Sequence, residues 1–221
     1  MQTNQVIIPV GPVQLEGEVA IPPEPRGLVV FAHGSGSSRH SPRNHYVARV
    51  LNEAGIGTLL FDLLTAQEEE LEAYTRHLRF DIDLLASRLA EATHWVLEQE
   101  FARHLSIGYF GSSTGAAAAL VAGAELGDKI NSIVSRGGRP DLAGSALEKV
   151  TAATLLIVGG NDQPVITLNE EAYARLQCEK ILKLIPGATH LFTETGALER
   201  VSRLASEWFV NHLHPLEHHP L

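Results

Sequence analysis

The sequence predicts an α/β fold: a three-layer α/β/α sandwich around a mostly parallel sheet, with an antiparallel hairpin at its N-terminal edge. Three observations carry this expectation. Short apolar runs such as Leu28–Ala32, Ile56–Phe61 and Thr154–Val158 have the unbroken hydrophobicity of strands buried on both faces. Segments with helical spacing separate them, and that alternation is the pattern of a parallel sheet covered by helices. Two β-type runs, Val6–Val10 and Val13–Ile21, meet at Gly11-Pro12, which is a hairpin signal.

Composition narrows the class. The 221 residues fit a single domain over 1–221, with about 212–221, rich in histidine and proline, read as a loose tail. Hydrophobic residues make up 44% and charged residues 19%, which suits a buried core and argues against disorder. The net charge of −9 argues against a nucleic-acid-binding surface. The single cysteine, Cys178, has no internal partner for a disulfide, which fits a reducing cytoplasm. The N-terminal stretch lacks a basic, then apolar, leader pattern. No apolar run reaches the roughly 18 residues of a membrane span. The expectation is a cytoplasmic protein with a small-molecule substrate and no nucleic-acid or membrane partner. Oligomeric state is not legible.

After the hairpin, Pro22–Gly27 is too proline-rich for regular structure. The strand Leu28–Ala32 then delivers the chain into His33-Gly34-Ser35-Gly36-Ser37-Ser38. A Gly/Ser loop at the end of a central strand can turn backbone N–H groups toward a ligand. Here it reads as half of an oxyanion hole, with the Ser35 amide as donor and Gly34 and Gly36 beside the substrate. A solvated loop is the plain alternative. A phosphate loop is disfavoured because G-x-x-x-x-G-K and G-x-G-x-x-G are absent.

Ser41 and Pro42 open a helix, whose apolar face is Val47, Val50, Leu51 and Ala54 and whose stop is Gly55. The stretch Thr65–Thr75, with Glu68, Glu69, Glu70 and Glu72, reads as a solvated helix start in preference to a lid. Leu78, Ile82, Leu85, Leu89, Ala92 and Val96 mark one long amphipathic helix. Arg79 and Asp81 lie near its start, placed to cap or pair locally, and Trp95 reads as packing.

The stretch Leu105–Leu120 organises the chain. It is an apolar strand, the turn Gly111-Ser112-Ser113-Thr114-Gly115, and a helix of small residues. G-x-S-x-G between a strand and a helix makes a nucleophile elbow centred on Ser113. The Thr114 amide, at the helix N-terminus, would supply the second oxyanion donor. The plain alternative is a Gly-Ser turn without chemistry. Ile130–Ser135 is the next strand, leading to Arg136-Gly137-Gly138-Arg139-Pro140-Asp141. Arg136, and less so Arg139, could hold a substrate carboxylate. Otherwise the two are surface arginines paired with nearby acids. Thr154–Val158 ends in Gly159-Gly160-Asn161-Asp162, and Ile181–Ile185 ends in Pro186-Gly187-Ala188-Thr189-His190. The His33 loop, Ser113, Arg136, Asp162 and His190 all follow predicted strands, on the rim where such sheets bind ligands.

These motifs and their order, His33-Gly34-Ser35-Gly36, then the Ser113 elbow, Gly160-Asn161-Asp162 and Gly187-Ala188-Thr189-His190, resemble an α/β-hydrolase of the dienelactone hydrolase-like group over nearly the whole chain. The resemblance implies Ser113 as nucleophile, His190 as general base and Asp162 as the acid orienting it, with no metal and no organic cofactor. Asp141 is the rival acid, and His33 and His45 precede the elbow. The chain departs from that group in carrying serine where dienelactone hydrolases carry cysteine, and in lacking an acidic residue in the His33 loop. The expected substrate is therefore a general small carboxylic ester or lactone. An acyltransferase, a peptidase and a non-catalytic binding protein are the alternatives, because fold and triad do not choose the substrate.

Overall fold

The computed structural model describes residues 3–216. Among them, one sheet is built from β1 (Thr3–Val10), β2 (Val13–Ala20), β3 (Gly27–Ala32), β4 (Gly57–Phe61), β5 (Ser106–Ser112), β6 (Ile130–Arg136), β7 (Ala153–Gly159) and β8 (Lys180–Ile185). The spatial order is β1-β2-β4-β3-β5-β6-β7-β8. The β1–β2 and β2–β4 pairs are antiparallel, and every pairing from β4 through β8 is parallel. The mostly parallel sheet with an antiparallel hairpin is thus the observed architecture.

Among the described residues, six α-helices cover it: α1 (Pro42–Glu53), α2 (Ala66–Thr75), α3 (Ile82–Glu98), α4 (Thr114–Leu126), α5 (Gln163–Arg175) and α6 (Ala197–His212). One face packs Leu89, Val96, Ala118 and Ala172 from α3, α4 and α5 against Val30, Ile107 and Leu156. The other packs Val47 and Leu51 of α1 and Val201 and Phe209 of α6 against Phe31, Phe110 and Ile157. Alternate residues of each central strand therefore feed opposite cores, which is why these strands are apolar throughout.

Local signals place the helix starts. Ser41 accepts a hydrogen bond from the Asn44 amide at 3.3 Å, and Pro42 occupies the first turn, where its missing N–H costs nothing. The expected single helix from Leu78 to Val96 is instead a short 3-10 turn, Leu78–Phe80, followed by α3. Asp81 sits between them and caps α3 by accepting from Leu84 N at 3.0 Å.

The Thr65–Thr75 stretch is largely solvated, as expected, with Glu72 its one buried helical residue. It forms a helix, with a reciprocal capping box between Thr65 and Glu68. Two of its acids, however, turn inward. Glu68 meets Arg88 through two bonds of 2.5 Å each. The Glu72 side chain is fully buried and accepts from the amides of His77, Leu78 and Arg79 at 2.8, 2.6 and 3.0 Å. Glu68 thus ties the start of α2 to α3, and Glu72 ties its end to the following turn. At the other end, His212 closes α6 rather than opening a tail. It stacks on Trp208, and the next residue, Leu213, is fully buried. Residues 217–221 of the expected tail lie outside the described residues. No helix among the described residues is long and apolar enough to cross a membrane.

Gly115 decides how closely α4 approaches the sheet. A Cβ there would lie 2.2 Å from the Ala32 carbonyl oxygen and 2.5 Å from that of His33, and both neighbours are backbone. Gly115→Ala should therefore destabilise the fold by about 1–3 kcal/mol or more, read as a lower urea midpoint. An unchanged midpoint would mean that this crossing is loose.

Candidate active site

Ser113 occupies the turn between β5 and α4 with φ 52° and ψ −122°. A non-glycine residue adopts positive φ only where its surroundings enforce it. Here they do so through the backbone. Ser113 N donates to Arg136 O at 3.4 Å, and Ser113 O accepts from Ala116 N at 3.1 Å and Arg139 N at 3.0 Å. The nucleophile candidate is thereby stitched to the loop that follows β6.

The His33 loop lies against it. A Cβ on Gly34 would fall 3.0 Å from the Ser113 Cβ, so the two turns are in direct contact. Ser35 Oγ and Thr114 Oγ1 share a hydrogen bond of 3.0 Å. The first turn of α4 leaves the Thr114 N–H without an intrahelical acceptor, and the Ser35 N–H has no backbone acceptor among the described residues. Both predicted oxyanion donors thus border Ser113, next to a helix N-terminus that favours negative charge.

His33 is not a rival base; it braces this loop. Its ring is buried. Nε2 accepts from the Leu63 amide at 3.0 Å, which leaves Nδ1–H to donate to Gly34 O at 3.0 Å. Burial lowers its pKa and keeps the imidazole neutral, against the opposing hydrogen bond to Gly34. Arg79 braces the same loop from α2's side. Its carbonyl accepts from Ser35 Oγ at 3.3 Å, while its guanidinium Nε is held by Glu72 at 3.1 Å.

Asp162 and His190 meet across the ends of β7 and β8. His190 Nδ1 and Asp162 Oδ2 are 2.7 Å apart. The two loops touch because residue 159 is glycine: a Cβ there would lie 2.4 Å from the Ala188 carbonyl oxygen. Asn161 N also donates to Ala188 O at 2.9 Å. The Asp162 side chain is 12% exposed and that of His190 40%, so the carboxylate is held in the protein while the imidazole faces the rim. The His190 ring borders Gly137, whose own loop holds Ser113; a Cβ on Gly137 would lie 3.6 Å from His190 Cε1. No hydrogen bond joins Ser113 Oγ to His190 among the described residues, and such bonds often close only around substrate.

Asp141, the rival acid, is committed elsewhere. Both its oxygens take Arg139, at 2.9 and 2.8 Å. Arg139 is accordingly the surface-paired arginine of the plain reading. Arg136 is not on an exposed loop; it ends β6, buried at 8% exposure. Phe192, which the motifs did not single out, holds the His190 loop down. It is buried beneath Gly137 with φ 55°, a costly conformation for a bulky side chain. Glu72 was likewise missed, since its acid-rich surroundings in sequence look solvated. Among the described residues, no group of three or more His, Cys, Asp or Glu side chains gathers as a metal site.

A parallel sheet with an elbow at the end of β5 and an Asp–His pair on the same rim defines an α/β hydrolase. No family model matches the chain. The crystal structure of a dienelactone hydrolase from Anabaena variabilis is 59% identical, with a TM-score of 0.95, over 96% of this chain and 99% of that one. The chain belongs to the dienelactone hydrolase-like family. Est1E from Butyrivibrio proteoclasticus, at 17% identity and TM-score 0.78 over 94% of this chain and 98% of its own, shares the fold. Two curated Mycobacterium tuberculosis proteins carrying the name phosphoribosyl transferase are 54% identical over 213 residues. That is 96% of this chain and 47% of theirs, so the chain spans about half the length of the curated relatives it matches.

The Glu72 cap has a pH signature. Burial pushes its carboxyl up, but the Leu78 and Arg79 amides, the Arg79 guanidinium and the Thr75 hydroxyl outweigh this and hold it at about 2. A carboxyl lowered on folding stabilises fully above its ordinary pKa, 4.5, and loses that contribution as pH falls toward about 2. Glu72→Gln should flatten the acid-induced loss of amide protection at residues 76–81, measured by hydrogen exchange. Identical pH profiles in both proteins would remove the carboxylate from this role.

Proposed function

We propose that the chain is a serine hydrolase that cleaves a small carboxylic ester or lactone through an acyl-enzyme. The observation that carries this reading is the 2.7 Å pair of His190 Nδ1 with Asp162, on the same rim as the strained Ser113 turn. In this reading, the Asp162 carboxylate keeps the proton on Nδ1, so that Nε2 is the base. Nε2 takes the Ser113 proton as Oγ attacks the substrate carbonyl. The oxyanion that forms lies between the Ser35 and Thr114 N–H groups, with Gly34 and Gly36 leaving room for the substrate. One such donor contributes about 2.7–4 kcal/mol in comparable sites. The imidazolium then protonates the leaving oxygen. Water, deprotonated by Nε2, attacks the acyl carbonyl and frees the carboxylate and Ser113. None of these steps calls on a metal or organic cofactor.

The transferase name of the curated relatives belongs to proteins about twice as long. The part matched here offers a serine nucleophile and an imidazole base, which suit acyl chemistry. Phosphoribosyl transfer is therefore not assigned to this chain.

A fluorophosphonate probe tests the nucleophile. Wild-type protein should label and Ser113→Ala should not; labelling that persists in Ser113→Ala would place the nucleophile elsewhere, and a folded wild-type protein that resists labelling would support a binding module. On a short-chain p-nitrophenyl ester, Asp162→Asn should lower kcat roughly ten-thousand-fold. Asp141→Asn should leave it within about tenfold, since that carboxylate serves Arg139. The opposite ranking would exchange the two acids.

A further inference from the structure

Two arginines beside the elbow have no acid. Arg136 Nη1 is buried without a hydrogen-bond partner, and the guanidinium sits 6.0 Å from the centre of the Phe110 ring. Arg43, in the first turn of α1, has a buried Nε that is also without a partner. The chain segments that carry them are neighbours. Arg136 is the register partner of Ser112, and the Ser112 hydroxyl donates to Asn44, the residue after Arg43, at 3.4 Å. Burial lowers the Arg136 pKa to about 10, and the Arg43 charge pushes it the same way.

Other arginines of this region are neutralised. Arg39 meets Asp62 and Glu16, Arg79 meets Glu72, Arg88 meets Glu68, and Arg139 meets Asp141. No carboxylate pairs with Arg43 or Arg136 among the described residues. A buried cation without a counter-charge is a net loss to folding, and two neighbouring ones repel. Phe110 returns only a small part of this. Such an arrangement is stable when an anion completes it.

Arg43 also lines an open cleft with Ser35, Gly36, Ser38 and His40, and with a single carboxylate, Glu69. Ser35, one of the two predicted oxyanion donors, thus shares that cleft with Arg43. Two uncompensated guanidinium groups match a dianion in charge, and their planar forks match its oxygens in geometry. We propose that Arg43 and Arg136 form a subsite for a phosphate monoester group, carried by the substrate of the Ser113 site. The word substrate rests on the hydrolase reading; the anion site itself does not.

The experiment separates the two. In Ser113→Ala protein, which cannot turn over, thermal unfolding is followed with inorganic phosphate, succinate or chloride at equal ionic strength. Phosphate should raise the midpoint more than succinate, and chloride should not raise it. Without phosphate, adding Arg136→Met should itself raise the midpoint, because it removes a buried unpaired charge. It should also remove most of the phosphate-induced rise. Arg43→Gln, a change in a partly exposed side chain, should weaken phosphate binding roughly tenfold or more, and it decides the matter should Arg136→Met not fold. A phosphate shift that survives both substitutions, or an equal response to succinate, overturns the proposal. So does an Arg136→Met protein that is less stable yet keeps its phosphate shift. A folded wild-type protein that binds phosphate but resists fluorophosphonate would sink the hydrolase reading and leave the anion site standing.

Discussion

A close crossing of two backbones shapes the turn at Ser113. The first turn of α4 runs over the end of β3 with space for a hydrogen and not for a methyl group at residue 115. Once the helix is that close, the chain leaving β5 has no relaxed way to reach it. Ser113 takes up the difference with φ 52°. The strained turn is stable because its flanking peptides bond to the 136–139 loop and to α4 itself. A side chain that would otherwise lie along the helix is lifted to the rim, and the free amide of Thr114 is left beside it.

The same rim is held by groups that do no chemistry in the proposed reaction. Neutral His33 joins the Gly34 carbonyl to the Leu63 amide, which locks the loop after β3 to the chain after β4. Phe192 anchors the His190 loop from below. Glu72 gathers three successive amides and the Arg79 guanidinium, so that Arg79 can present its carbonyl to Ser35. Each of these places a backbone that has no regular secondary structure of its own. Loops can carry precise geometry only when their polar groups are satisfied in this way.

Charge is distributed with the same logic. The chain is acidic overall, yet most acids near the rim are consumed by a nearby arginine or by exposed amides. What remains uncompensated at the elbow is positive: a helix N-terminus and the Arg43–Arg136 pair. That balance favours negative charge placed at the elbow.

Much of this was legible without coordinates. Unbroken apolar runs identified the parallel strands, because a strand covered on both faces has no polar side to show. Gly11-Pro12 marked the hairpin, Ser41-Pro42 the start of α1, and G-x-S-x-G the turn at Ser113, because each needs particular backbone angles or a particular cap from one or two local residues. Other features have no local signature. Glu72 and Glu70 look alike in sequence, and only folding decided that the first would be buried under the amides of residues 77–79. Asp141 and Asp162 both follow strands; the choice between them rests on Arg139 reaching one and His190 the other. Arg136 and Arg139 are near neighbours in the chain, but they end in opposite environments because the register of β6 turns the first into the core. Short-range geometry is written in neighbouring residues, whereas the partner of a charge is set by segments far apart in the chain, and only tertiary packing brings them together.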